Sequence, residues 1–349
     1  MKTNEGMLKL GEYPYTYVRT VTMKSKLYKK DDYHKFLKME LSEITKTLQE
    51  SDYKTEIDAL AQDLSGVGLI EHALNNNLVR NFAKLKKISP DEVDELVNSY
   101  LRRNDVYNMK TILRGKFANV ENSEINRLLI PVGLHKPEFW TNLIEKESVE
   151  EVLKTLPIKP QKKETALKNF KETNSLFSVE NMLDTDYFQF MKEFSQRIPK
   201  EGELFRELLE HEIDIINIKN LLRLKKMGEK DIEQYFFAGG KVFGKNRLVS
   251  MANSDFTAIL ETINKSSYRK AFVEHRDAIA KLDIGAIENA LDKFLLKKST
   301  LLLHQNPLTV SVILGFMYAK EIEVKNLRML VKGKQLGLEE DFIEQQLVI

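Results

Sequence analysis

The sequence predicts an all-α protein in which three related helical units close on one another about a pseudo-threefold axis. Three observations carry that expectation. Helix breakers are scarce, with 15 glycines and 8 prolines in 349 residues, both below the ordinary usage of roughly 7% and 5%. Apolar residues recur at helical spacing, with no convincing run of alternating strands. Two blocks of sequence also return at nearly one period.

The first block reads Ile70-Glu71-His72-Ala73-Leu74-Asn75, then Val179-Glu180-Asn181-Met182-Leu183-Asp184, then Ile287-Glu288-Asn289-Ala290-Leu291-Asp292. Its glutamates stand 109 and 108 residues apart. In the second block Asp105, Asn108, Lys110 and Arg114 match Asp214, Asn217, Lys219 and Arg223. A looser third copy holds Glu323, Val324, Lys325, Asn326, Leu327 and Arg328. Aligned on the central lysine, these copies are spaced by 109 and 106. That alignment puts Lys320 in the place of the aspartate and Glu323 in that of the asparagine, with Arg328 one residue early. The block is helical: Ile215, Ile218 and Leu222 fall on one face, and Lys219, Arg223 and Lys226 on another.

A third block follows a glycine. Gly133 precedes Val149, Val152, Leu153 and Leu156, and Gly240 precedes Phe256, Ile259, Leu260 and Ile263, each pair 107 apart. The 0, 3, 4, 7 spacing is one face of a helix. The C-terminal unit stops before such a block, and residues 1–68 resemble the missing piece. Asp32-Tyr33-His34-Lys35-Phe36-Leu37 resembles Asp255-Phe256-Thr257-Ala258-Ile259-Leu260, and Tyr53 with Ile57 and Leu60 resembles Tyr268 and the apolar positions after it. The expected units are therefore 69–177, 178–285, and 286–349 completed by 1–68. The N-terminal stretch should cover the apolar face of Val310, Ile313, Leu314 and Met317. Within it, Tyr13 to Val18 is aromatic and β-branched, but Pro14 weakens a strand, leaving an extended arm or a helix start.

Composition narrows the function. The absence of cysteine excludes disulfides, thiolate metal sites and cysteine nucleophiles. Lys and Arg total 54 against 52 Asp and Glu, a formal charge of +2, so the basic bias of a nucleic-acid binder is missing. Arg102, Arg103, Arg114 and Lys116 form only a local basic group. The N-terminus lacks the apolar stretch of a signal peptide. Ser299 to Ala319 is an uncharged run of 21 residues, long enough to span a bilayer. His304-Gln305-Asn306-Pro307 interrupts it, and a proline and polar side chains at mid-bilayer are costly. Two buried core helices meeting at an Asn-Pro start signal are expected instead.

The residues that could carry chemistry are few. Gly239-Gly240-Lys241-Val242-Phe243-Gly244-Lys245-Asn246 nearly matches a P-loop, but Asn246 stands where Ser or Thr would ligate Mg²⁺. No parallel-sheet pattern surrounds it, and it occupies the place of Gly133 in the neighbouring unit, so a loop or helix-end glycine pair is expected. The histidines, His34, His72, His135, His211, His275 and His304, form no H-x-x-x-H pair, and no G-x-S-x-G occurs. No catalytic, cofactor or metal residues are expected. The most specific local feature is the polar repeat Asp105, Asn108, Lys110, Arg114; Asp214, Asn217, Lys219, Arg223; Glu323, Lys325, Arg328. It reads either as internal ties within each unit or as polar contacts around a central axis.

The three-copy helix block, the ending Asn306-Pro307-Leu308, Lys325-Asn326-Leu327-Arg328 and Lys332-Gly333-Lys334, and the opening Tyr15-Thr16-Tyr17-Val18-Arg19 resemble the C subunit of archaeal and bacterial A/V-type ATP synthases. The vacuolar ATPase d subunit is the eukaryotic relative. The resemblance covers essentially the whole chain and rests on the order and spacing of the motifs. It implies a funnel-like ring of three helical lobes whose wide face caps the membrane proteolipid (c/K) ring and whose opening receives the rotor shaft, subunits D and F. It implies a non-catalytic central-stalk subunit that passes torque for ATP-linked H⁺ or Na⁺ transport at the cytoplasmic face of the cell membrane. ATP, ion, cofactor and self-association are not called for. A reading of another class, a freestanding helical-repeat scaffold, shares the periodicity but needs no ring-facing surface.

Overall fold

The computed structural model describes residues 11–229, 232–273, 283–305 and 308–349. Among them are eighteen α-helices and no strand. Asn306, Pro307 and His275, and the side chain of His304, lie outside the described residues. The helices gather into two compact bodies, Met1–Leu74 with Met191–Ile349, and Asn75–Phe190.

The N-terminal helices are α1 (Pro14–Lys24), α2 (Lys30–Lys38), α3 (Leu41–Gln49) and α4 (Lys54–Leu60). Pro14 opens α1, a position where proline loses nothing because the first N–H has no intrahelical partner. The Asp32 carboxylate accepts the Lys29 amide and Glu43 that of Glu40, each satisfying a donor at a helix start. Two long helices follow, α5 (Gly66–Ile88) and α6 (Asp91–Phe117), then α7 (Asn122–Leu128), α8 (Pro137–Ile144), α9 (Val149–Thr155) and α10 (Pro160–Thr173). Ser148 caps α9 by accepting the Glu151 amide, and α10 ends on Asn174 in the left-handed region, which asparagine tolerates better than most residues. The remaining helices are α11 (Phe177–Gln196), α12 (Glu203–Met227), α13 (Lys245–Ala252), α14 (Phe256–Asn264), α15 (Arg269–Val273), α16 (Ile284–Gln305), α17 (Val310–Gln335) and α18 (Glu340–Gln346).

In the body Asn75–Phe190 the predicted face Val149, Val152, Leu153 and Leu156 is buried against Met109, Ile112 and Leu113 of α6 and Trp140 and Leu143 of α8. In the other body Ile259, Leu260 and Ile263 pack with Ile215, Ile218 and Leu222 of α12 and Ile287 and Leu291 of α16, while Phe256 is half-buried at the edge. Each large side chain buried this way stabilises the fold by about 1.5–3 kcal/mol.

The uncharged run Ser299–Ala319 divides between α16 and α17, and Val310, Ile313, Leu314 and Met317 are buried. No helix among the described residues is long and apolar enough to cross a membrane. The N-terminal helices reach the C-terminal ones directly: α1 and α3 pack on α17 and α2 packs on α18. The Tyr13 amide donates to the Leu308 carbonyl at 2.7 Å, and Lys334 Nζ donates to the Leu37 carbonyl at 2.6 Å.

Candidate functional site

One polar arrangement is built three times, on α6, α12 and α17. Its fixed point is a buried asparagine. Asn108 Nδ2 donates to the Ile130 carbonyl at 2.9 Å and its Oδ1 accepts the Ile130 amide at 2.8 Å. Asn217 does the same with Phe237 at 2.8 and 2.7 Å, and Asn326 with Val348 at 2.8 and 2.9 Å. A carboxamide sets an N–H donor beside a carbonyl acceptor, the complement of the C=O and N–H of one extended residue. Each asparagine thereby satisfies backbone groups that would otherwise be buried unpaired, at about 1–3 kcal/mol apiece.

Three residues before each asparagine sits a buried acid that accepts backbone amides from a loop. Asp105 accepts Leu134 N–H at 2.7 Å. Asp214 accepts Val242 N–H at 2.7 Å and Phe243 N–H at 3.0 Å. Glu323 accepts Tyr28 N–H at 2.7 Å. In the first two copies the loop passes so close that a Cβ on Gly133 or Gly240 would lie 2.0 or 2.1 Å from the carboxylate. Glutamate is one methylene longer, so its carboxylate reaches a loop further away, and no glycine is needed in Lys26-Leu27-Tyr28.

These contacts correct the alignment of the third copy. The asparagines Asn108, Asn217 and Asn326 are spaced by 109 and 109, as are Asp105, Asp214 and Glu323. Glu323 is therefore the counterpart of the aspartates, and Asn326 of the asparagines. Lys110, Lys219 and Arg328 correspond, as do Arg114, Arg223 and Lys332. Aligning on Lys325 shifted the register by three residues, because lysines at 325 and 332 flank the arginine that takes the equivalent place.

A tyrosine closes two of the copies. Tyr268 donates to Asp214 at 2.9 Å and Tyr53 donates to Glu323 at 2.6 Å. Both amides are held by a serine two residues back, Ser266 and Ser51, at 3.2 Å each. Lys320 Nζ, itself buried, donates to Glu323 at 2.7 Å and to Tyr53 at 3.0 Å. The resemblance of Tyr53 to Tyr268 was legible in the sequence; the role of Lys320 and of the Tyr28 amide was not.

The basic residues of the second block meet the acidic residues of the next first block. Lys110 Nζ donates to Asp184 at 2.5 and 2.6 Å, and Arg114 forms a two-pronged pair with Glu180 at 2.6 Å. Lys219 and Arg223 repeat this with Asp292 and Glu288 at 2.5 Å. In the third copy Lys332 and Arg328 face Glu71 at 2.9 and 3.6 Å. Lys325 joins Lys219 on Asp292, at 2.6 Å. Complementary spacing could have revealed these pairs: Glu and Asp four apart in one block, Lys and Arg four apart in the other.

The model of the ATP synthase (C/AC39) subunit family matches residues 17–346. The chain belongs to that family. It is similar to the C subunit of the A-type ATP synthase of Methanosarcina mazei, 34% identical over 345 residues, 97% of this chain and 93% of the relative. That of Haloquadratum walsbyi is 33% identical over 339 residues, covering 95% and 97%, and that of Methanococcoides burtonii 34% over 346, covering 97% and 95%.

In this ATP synthase (C/AC39) subunit the P-loop-like segment is a structural loop. The Val242 and Phe243 amides point at Asp214, a resident carboxylate, and Lys241 faces Glu207 and Glu210 at 3.1 and 3.7 Å. Lys245 opens α13 and lies 3.6 Å from Glu233. Burial pushes the Asp105 and Asp214 carboxyls above their ordinary range, against the pull of the amides they accept. Burial, followed by the facing carboxylate, raises the Tyr268 and Tyr53 phenols. His211 Nδ1 lies 2.8 Å from the Tyr268 hydroxyl. That hydroxyl spends its hydrogen on Asp214, so Nδ1 carries the proton of a neutral imidazole. Burial, with Lys298, lowers the His211 pKa to about 4. Among the described residues no group of three His, Asp or Glu is placed to hold a metal.

Proposed function

We propose that this chain is the non-catalytic central-stalk subunit of an A/V-type ATP synthase. It couples the rotor-shaft subunits D and F to the membrane proteolipid (c/K) ring, at the cytoplasmic face of the cell membrane. The work is mechanical, passing torque for ATP-linked H⁺ or Na⁺ transport. The observation that carries this reading is the match to the C subunits of A-type ATP synthases across nearly the full length of both chains. The division into units 69–177, 178–285 and 286–349 with 1–68 belongs to the same proposal. It is supported by the buried asparagine and acid of each second-block helix, which bind backbone of the same proposed unit: Asn108 and Asp105 at Ile130 and Leu134, Asn217 and Asp214 at Phe237 and Val242, Asn326 and Glu323 at Val348 and Tyr28.

The two-pronged Arg114–Glu180 and Arg223–Glu288 pairs between helices suit such a role. They resist sliding between helices because their geometry is directional, where apolar contacts alone tolerate small slips. The test is to recover the tagged chain from detergent-solubilised membranes of its own host. Co-purification of the shaft subunits, the catalytic subunits and the proteolipid is expected. Recovery of the chain with an unrelated partner and none of these would favour a helical-repeat scaffold instead.

A further inference from the structure

Lys219, Lys241 and Lys325 each face a carboxylate, at 2.5, 3.1 and 2.6 Å. Lys270, Lys297 and Lys298 do not: among the described residues none of the three has an acidic side chain within ion-pairing distance. All three border one cleft of ≈ 270 Å³ between α15 and α16. Like charges gathered around one hollow repel one another, and the chain supplies no anion there to offset them.

The helix register builds the cleft. Ala290, Phe294, Lys297, Lys298 and Leu301 recur at i, i+4, i+7, i+8 and i+11 on α16, which is one helical face, and Lys270 and Ala271 close it from α15. Its floor is preformed, because the Phe294 ring meets those of Tyr268 at 5.0 Å and His211 at 5.6 Å. Leu301 stands 43% exposed, Lys270 and Lys297 are exposed, and Lys298 Nζ lies 5.8 Å from the centre of the Phe294 ring. Lysine lays an aliphatic stem along apolar surface while its ammonium stays in water. Among the described residues no carboxylate lines the cleft. Glu207 of α12 feels the charge of Lys298, but it is engaged by Lys241. Lys293, also at the border, has partners of its own.

We propose that this cleft binds an anionic phospholipid, its phosphate among Lys270, Lys297 and Lys298 and an acyl chain against Phe294, Leu301 and the two alanines. The headgroup supplies the negative charge that the lysines lack, a pairing that lysine ammonium groups make readily with phosphate. An acidic peptide would bring charge too. It would also lay backbone N–H and C=O groups against walls that offer no hydrogen bond apart from the lysines, at a desolvation cost. An acyl chain incurs no such cost.

The experiment uses the full-length chain with ¹³C-labelled alanine and leucine methyl groups. Dihexanoyl phosphatidylglycerol, kept monomeric, is titrated while Ala271, Ala290 and Leu301 are followed. Saturable shifts centred on these methyls are expected. Dihexanoyl phosphatidylcholine should bind at least tenfold more weakly because its headgroup has no net charge, and glycerol phosphate at least tenfold more weakly because it has no acyl chain. Lys270→Gln with Lys297→Gln should weaken phosphatidylglycerol binding tenfold or more and leave the unfolding midpoint unchanged, since neither lysine has an ion pair to lose. Equal binding of the two lipids, binding of neither, or full affinity in the double variant would overturn the proposal. So would a hexaglutamate peptide or glycerol phosphate that binds as tightly as the lipid, which would make the cleft a general anion site. The readout needs only the isolated chain, so it is independent of which subunits this one joins.

Discussion

Tyr53 gives its hydroxyl hydrogen to Glu323 at 2.6 Å, across 270 residues of chain. Lys320 touches both partners, making a buried triad of a cation, a phenol and an acid. Such a network is worth most when every member is satisfied. Tyr53→Phe strips one partner from Lys320 and one from Glu323, and should cost about 1–3 kcal/mol, read by urea unfolding. Tyr15→Phe, on a side chain 66% exposed, should stay within about 0.5 kcal/mol.

The neutral state of His211 makes stability depend on pH. Its pKa is about 4 in the folded chain against an ordinary value of 6.5, so the unfolded chain takes up the proton first. The contribution is full above the unfolded value and is lost as pH falls through the folded one, amounting to about 3 kcal/mol. Lys298, Glu207 and Lys241 also face the ring electrostatically and are unchanged in a His211→Gln comparison. The variant should lose less stability than the parent between pH 7 and pH 4. Equal losses would mean that His211 is not held neutral.

Asp184 and Asp292 occupy equivalent places with opposite shifts. Burial raises Asp184, with Lys110 as its main counterweight. Burial also acts on Asp292, but Lys219 and Lys325 together outweigh it and lower the pKa. Lys325→Ala should therefore move the Asp292 pKa upward, toward the behaviour of Asp184, in a carboxyl-carbon NMR titration. The linked stability of Asp292 is present above its unfolded pKa, lost as pH falls through the folded one, and set by the gap between the two, so this increment should shrink in the variant.

The loop Gly239–Asn246 should not bind ATP. The Val242 and Phe243 amides already serve Asp214, and the sequence lacks the hydroxyl that would ligate Mg²⁺. Calorimetry with ATP and Mg²⁺ should give no heat of binding at micromolar protein. Binding abolished by Lys245→Ala would reverse this conclusion.

Deletion of residues 1–60 should expose the C-terminal helices. It removes the Tyr28 amide and the Tyr53 hydroxyl from Glu323 together with the packing of α1 on α17. Faster amide exchange across 310–349 is expected. Unchanged protection there would show that the C-terminal segment holds its structure alone.

The helical class and the apolar faces could be read from the sequence because both follow from periodicity, which local pattern encodes. Val149, Val152, Leu153 and Leu156 are all buried because a 0, 3, 4, 7 spacing leaves them no other common side. The tie of Gly133 and Gly240 to one structural role was legible for the same reason. The register of the third copy was not. Lysine recurs at 320, 325, 332 and 334, and a charge on a half-exposed helix face identifies its position poorly. The buried pair Asn326 and Glu323 would have been the safer anchor, since a wrong side chain there leaves backbone groups unsatisfied. The charge pairs needed one step more, because their partners lie in different blocks.

The Glu323–Tyr53 contact also sets an order of events during synthesis. At about 5–20 residues per second, the ribosome reaches Glu323 roughly 15–55 s after Tyr53. Over that interval Tyr33, Phe36, Ile44, Leu48 and Tyr53, all buried in the finished protein, wait without α17. The stretch translated early is thus among the last to find its place, and it is the part of the nascent chain that chaperones would have most reason to shield.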